Sequence, residues 1–203
     1  MRSISRAPAF LLLANDPALD FLNTTPMVDG APSERIVDYG ALVAFLSEAK
    51  LISEDDATFA RKTWPTGAST VARARSLREL LRKIIIQITR GSAVSPQLVT
   101  KLNAELRDDG GDYVELRATG DGFEQRRSLR RTSAGDVITP LLRAIASLLV
   151  EADLTLVRKC EAPDCALYFL DTSKNRRRRW CSMESCGNRH KVGAYRARGG
   201  RTR

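Results

Sequence analysis

Four cysteines in two pairs constrain this chain more than any other feature. Cys160-x4-Cys165 and Cys181-x4-Cys186 stand fifteen residues apart and are the only cysteines in the sequence. Two closely spaced pairs joined by a loop present four thiolates in the tetrahedral set that Zn²⁺ accepts. Ala162-Pro163-Asp164 forces a turn within the first pair, and Ser182-Met183-Glu184-Ser185 spans the second. Disulfides need an oxidising compartment, and the N-terminus does not support one. Arg2 and Arg6 precede the apolar Phe10–Leu13, but Pro8 interrupts that stretch and Asn15-Asp16-Pro17 is no cleavage site. Rubredoxin-like iron sites use tighter x2 knuckles. The expectation is a structural Zn²⁺ on Cys160, Cys165, Cys181 and Cys186, with no position left for water. His190, four residues past Cys186, reads as a helix-surface residue rather than a further ligand.

The charge is as unevenly placed as the cysteines. Lys and Arg number 33 against 24 Asp and Glu, a net charge of +9, and residues 158–203 carry all of that excess with 13 basic and 4 acidic side chains. A segment of 46 residues with 17 charges cannot bury enough apolar area to fold alone. Tyr168, Phe169, Leu170 and Trp180 offer it only a small core, so metal binding is expected to be linked to its folding. The pattern suggests a treble clef. A hairpin over Leu167–Trp180 would turn near Thr172–Asn175, and the second cysteine pair would open a helix from about Cys186 to Arg198. A charge run is usually a solvated face. Here density, sign and a metal-fixed frame favour phosphate binding. The candidate nucleic-acid contacts are Arg176, Arg177, Arg178, Arg179, Arg189, Lys191, Arg196 and Arg198, with Arg189 and Arg196 best suited to guanine edges. Arg201 and Arg203 extend the run beyond Gly199-Gly200.

Residues 1–157 balance 20 basic against 20 acidic side chains and read as a mixed helical and strand domain. Phe10–Leu13 suits a buried strand, although four residues do not settle the period. Asp16-Pro17 caps a helix. A second helix runs from about Glu34 or Tyr39 to Lys50, and Ser53 opens a third. The strongest spans Ser69 to Arg90, with Val71, Leu77, Leu80, Leu81, Ile84, Ile85 and Ile88 on one stripe and Gly91 as its stop. Ser95-Pro96 begins another, to about Arg107. Alternation over Asp112–Arg131 around Gly120-Asp121-Gly122 predicts a hairpin. The basic residues of its return strand, Arg126, Arg127, Arg130 and Arg131, read as a solvated edge. Asp136–Glu151 closes the domain as a helix.

This first part holds no histidine, no cysteine and no glycine-rich phosphate loop, which argues against an enzyme. Asp20, Asn23 and Thr24, with Thr25, stand beside Leu19, Phe21 and Leu22. They could form the polar corner of a small-ligand pocket, or a helix end satisfying its own backbone. No apolar run approaches the roughly 18–20 residues of a membrane helix, so a soluble, cytoplasmic protein is expected.

Several stretches also resemble a known family. Arg158-Lys159-Cys160, Phe169-Leu170-Asp171-Thr172-Ser173, Arg179-Trp180-Cys181-Ser182-Met183 and Cys186-Gly187-Asn188-Arg189 resemble the CGNR zinc finger. Leu19-Asp20-Phe21-Leu22-Asn23-Thr24 is similar to the ABATE domain that accompanies it. The resemblance implies a bacterial, stress-linked transcription regulator. Its N-terminal α+β domain would bind an unidentified ligand, and its treble-clef finger would bind DNA. The expected fold is thus α+β, with a mostly helical ABATE-like domain over 1–155 carrying a small antiparallel sheet. A CGNR treble clef would follow over 156–203. A homodimer would match a palindromic site. The rival readings are an RNA-binding zinc module and a protein-interaction adaptor.

Overall fold

The computed structural model describes residues 10–107, 112–119 and 122–199. The elements run α1 (Pro17–Leu22), β1 (Met27–Val28), β2 (Ala31–Pro32), α2 (Tyr39–Glu48), α3 (Glu54–Thr63), α4 (Ala68–Thr89), α5 (Pro96–Arg107), β3 (Asp112–Thr119), β4 (Gly122–Leu129), α6 (Thr139–Glu151), β5 (Val157–Lys159), β6 (Tyr168–Leu170) and α7 (Asn188–Gly199). The strands form three antiparallel pairs, β1–β2, β3–β4 and β5–β6. The chain is α+β and mostly helical, as expected. No described helix is long and apolar enough to cross a membrane.

Local chemistry sets the helix starts. The Asp16 carboxylate accepts from the amides of Ala18 and Leu19 at 2.9 and 3.1 Å, with Pro17 in the first turn. Asp38 caps α2 by accepting from Ala41 at 2.7 Å, which selects the later of the two predicted starts. Ser53 Oγ accepts from Asp56 N, a cap of the kind worth about 1 kcal/mol. At the other end of α4, Gly91 takes φ +69°, the left-handed conformation in which glycine carries no Cβ penalty.

The long helix α4 is the hub, touching α1, α2, α5 and β5. Its buried stripe of Val71, Ala74, Leu77, Leu81, Ile84 and Ile85 meets Leu19, Leu22, Leu42 and Leu46 in one core. A second stripe, Arg75, Arg78 and Arg82, grips the loop between α1 and α2. Arg75 donates to the carbonyls of Ile36 and Val37, and Arg82 to that of Leu22 at 3.0 Å. Arg78, only 3% exposed, donates to Thr24 Oγ1 at 2.8 Å and pairs with Glu34.

Four expectations need correction. Phe10–Leu13 joins no ladder; beyond it Asn15 turns the chain with φ +60°. Leu13 and Ala14 offer one carbonyl each to the C-terminal part. The hairpin predicted over Leu167–Trp180 does not form. β6 pairs instead with β5, Val157 opposite Leu170, and the arginine run lies in irregular chain. Its loop is organised by Asp171, which is 0% exposed and accepts from the amides of Ser173 and Arg178 at 3.1 and 2.9 Å. Pro140 sits in the first turn of α6 and cannot donate to a ladder. Residues Ala134–Ile138 therefore form a separate 3-10 turn, closed by Thr132 and Ser133 on the Asp136 carboxylate. Arg131 lies beyond β4 and is exposed, yet it is engaged by partners that its sequence neighbourhood does not show. It bonds Asp56 at 2.9 Å and covers the Phe59 ring at 4.6 Å. Arg130 is exposed, whereas the side chains of Arg126 and Arg127 lie outside the described residues.

Candidate metal centre and nucleic-acid interface

The first knuckle hangs from the β5–β6 pair. Lys159 ends β5, Cys160 N donates to Leu167 O at 2.8 Å, and the Ala162-Pro163-Asp164 turn closes with Cys165 N on Ala162 O at 3.0 Å. The second knuckle is a π-turn over Met183–Gly187, capped by Ser182, that runs directly into α7. Cys181 N reaches back to Cys160 Sγ at 3.3 Å and ties the two together.

All four sulfurs lie within 4.8 Å of one another. Cys165–Cys181 and Cys181–Cys186 are separated by 3.8 and 3.5 Å, far beyond a disulfide bond of about 2.05 Å. Four sulfurs about 2.3 Å from a tetrahedral zinc stand about 3.8 Å apart, so the set fits that ion. Cys160, Cys181 and Cys186 are buried and Cys165 is half-buried. Left to themselves the thiols resist common ionisation. Burial pushes Cys160 up, and the bond from Cys181 to Cys165 raises the former and holds the latter down at about 5. Only deprotonated sulfurs ligate, so loading with metal releases protons.

Residues 186–189 each have a physical task. Cys186 supplies a ligand atom. A Cβ on Gly187 would stand 2.9 Å from Met183 Sδ and 3.2 Å from Trp180 Cδ1, so glycine lets the knuckle close on that ring without moving either side chain. Asn188 Nδ2 donates to Glu184 O at 3.3 Å. Arg189 donates to Cys186 Sγ at 3.2 Å and to Asp164 at 2.7 Å, bolting α7 to the first knuckle. His190 is exposed and stacks on Trp180 with ring centroids 4.6 Å apart; it lies outside the sulfur cluster.

The predicted cationic residues divide sharply. Arg177, Lys191 and Arg196 are exposed and form no side-chain hydrogen bond or ion pair with a described residue. Arg176 is exposed at the loop apex with φ +49° and a loose contact to Asp153 at 3.7 Å. Arg179 is exposed but engaged, paired with Glu161 at 2.6 Å and lying over Trp180. Arg189 is 61% exposed and held by Asp164. Arg178 is the exception. Its guanidinium turns inward to donate to Trp180 O at 3.0 Å, Leu13 O at 2.8 Å and Cys181 O, and it stacks on Phe169 at 4.3 Å. It anchors the loop, with Nε and Nη2 committed to backbone carbonyls. The side chain of Arg198, with Arg201 and Arg203, lies outside the described residues.

The suggested ligand corner is likewise occupied from within. Asp20 accepts from Ala14 N at 2.9 Å, and burial raises its pKa to about 6. Thr24 Oγ1 donates to Phe21 O and accepts from Arg78. Asn23 makes both amide bonds to the backbone of Tyr168, Nδ2 to its carbonyl at 2.8 Å and Oδ1 from its amide at 2.9 Å. Asn23 thus ties the end of α1 to β6 and Thr24 ties it to α4, while Asp20 holds the segment before α1. Sequence reasoning missed this because nothing local marks an asparagine whose partner is 145 residues away. Asn23→Ala would bury two unpaired backbone groups, and about 2–4 kcal/mol of stability should be lost. Urea melts check this; a loss below 0.5 kcal/mol would refute the clamp.

A helical α+β body carrying a four-cysteine metal-binding finger is thus the class that fold and site define. The chain belongs to the ABATE family, whose model, described as "Putative stress-induced transcription regulator", matches residues 15–152. The model of the CGNR zinc finger matches residues 157–199. A search of the curated proteins gives no match.

Proposed function

We propose that this protein is a transcription regulator that binds duplex DNA through its finger, folded around a structural Zn²⁺ on Cys160, Cys165, Cys181 and Cys186. The ion would act only as a cross-link, because four protein sulfurs leave no open coordination position. The observation that carries the reading is the display of cations on the metal-fixed frame. Arg176, Arg177, Lys191 and Arg196 face solvent, while Glu161 and Asp164 are already paired to Arg179 and Arg189. Such a surface suits phosphate contacts along a duplex, with α7 presented to a groove. Tyr168, Phe169 and Trp180 are buried and unavailable for stacking on unpaired bases, which favours a duplex over single-stranded RNA. Two chains on a palindromic site are the assembly this reading expects.

Fluorescence anisotropy of a duplex with the zinc-loaded chain, from about 50 to 300 mM salt, tests it. Four to six phosphate contacts give a slope of log K against log salt of roughly −4 to −5. A slope near zero, or tighter binding to a structured RNA competitor, overturns the assignment.

A further inference from the structure

A cleft of about 630 Å³ opens between the C-terminal end of α4 and the β5–β6 pair, within the range of small-molecule sites. Its polar lining includes Thr89 and the cap residue Arg90 at the end of α4, Thr155, Arg158 and Lys159 on or beside β5, Tyr168 from β6, and Arg178, whose guanidinium is already committed to backbone carbonyls. Ile86 and Val157 add an apolar wall. Arg90 and Lys159 are exposed, and neither makes a side-chain hydrogen bond or ion pair with a described residue. Arg158 spends one nitrogen on Asp171 at 3.4 Å and another on Arg176 O at 3.1 Å, which leaves its third. Glu161, the one carboxylate in the lining, is tied to Arg179.

The neutral groups refine the chemistry. Tyr168 is only 7% exposed, and its hydroxyl forms no hydrogen bond with a described residue. Burial raises its pKa, so it stays a neutral donor. Thr89 Oγ1 already donates to Ile85 O at 2.9 Å, and Thr155 Oγ1 to Asp153 at 2.6 Å, so both offer lone pairs only. The terminal carbonyls of α4 would repel an anion, yet those of Ile86, Gln87 and Ile88 are engaged by the amides of Arg90, Gly91 and Ser92.

We propose that this cleft binds a small phosphorylated metabolite bearing hydroxyl or amino groups. Its phosphate would sit among Arg90, Lys159 and Arg158 with the Tyr168 hydroxyl donating, and its own donors would meet Thr89 and Thr155. The ligand lies against β5, the strand that runs directly into Cys160, and so braces the first knuckle against α4. Occupancy is thereby linked to the stability of the finger. The site stands whether or not the finger binds DNA.

Ribose 5-phosphate is the probe, titrated into the zinc-loaded full chain by amide-resolved NMR, with ribose, inorganic phosphate and chloride at equal ionic strength as controls. Saturable shifts at Thr89–Ser92, Val157–Lys159 and Tyr168 are expected, with weaker binding of phosphate alone. Arg90→Glu should weaken binding at least tenfold and Tyr168→Phe severalfold, both with unchanged melting temperature and zinc content. Lack of saturation by about 20 mM, some twenty times the millimolar affinity limit of a weak ligand, or shifts confined to residues 174–191, would overturn the proposal. Displacement of the probe by duplex DNA, with an equal loss of DNA affinity in Arg90→Glu, would also overturn it by assigning the cleft to the duplex surface. No DNA is needed for the primary readout, so failure of the regulator reading leaves this result interpretable.

Discussion

Chelating the metal from the full chain is expected to melt part of the finger and leave its first strands in place. Amide exchange protection should vanish over residues 160–165 and 181–199 and persist at 157–159 and 168–170. A metal held by the four sulfurs would be the main cross-link of the cysteine knuckles, and structural zinc contributes about 10–16 kcal/mol in isolated finger peptides. The β5–β6 pair has other anchors. Asn23 holds the Tyr168 backbone by two bonds, Leu170 N donates to Ala14 O at 2.8 Å, and Phe169 is 0% exposed within the common core. Duplex affinity should fall at least a hundredfold, since the exposed cations lose their fixed spacing. Retained protection over 181–199 after verified metal loss would show that packing alone holds the second knuckle. Simultaneous loss in α1 and α4 would show that the metal supports the whole core.

The second large effect separates two adjacent arginines. Arg178→Ala should cost about 3–4 kcal/mol, because three backbone carbonyls lose a charged donor at once and Phe169 loses its covering guanidinium. Arg177→Ala should leave stability within about 0.5 kcal/mol and instead reduce the salt slope of DNA binding by about one. Urea melts and the anisotropy series, run on both variants, decide the matter. Equal stability of the two variants would mean that the inward contacts of Arg178 contribute nothing net.

Helix starts were legible in the sequence because their causes are local. Asp16-Pro17, Ser53 and Ser95-Pro96 act within one turn, and Gly91 stops α4 through its own backbone freedom. The β3–β4 pairing was legible for the same reason; its register places Thr119 opposite Gly122. The strand predicted for Phe10–Leu13 and the hairpin over Leu167–Trp180 failed because pairing depends on what lies alongside in space. Arg131 read as an edge residue because Asp56 and Phe59, its partners, precede it by more than seventy residues. The same blindness hid Asn23 and the cleft at Arg90, whose walls come from segments far apart in the chain.

The clustering of the four cysteines was therefore legible in the sequence itself. Each x4 spacing closes a tight knuckle, and fifteen intervening residues are enough to bring two knuckles together, so ligand identity needs little knowledge of the rest of the molecule. Which arginines face outward was decided only by the tertiary structure. Four identical side chains at 176–179 carry the same local information, yet three are exposed. The fourth turns inward, where Leu13, 165 residues earlier, and the Phe169 ring complete its shell. A guanidinium commits to buried carbonyls only where the fold delivers several of them to one place.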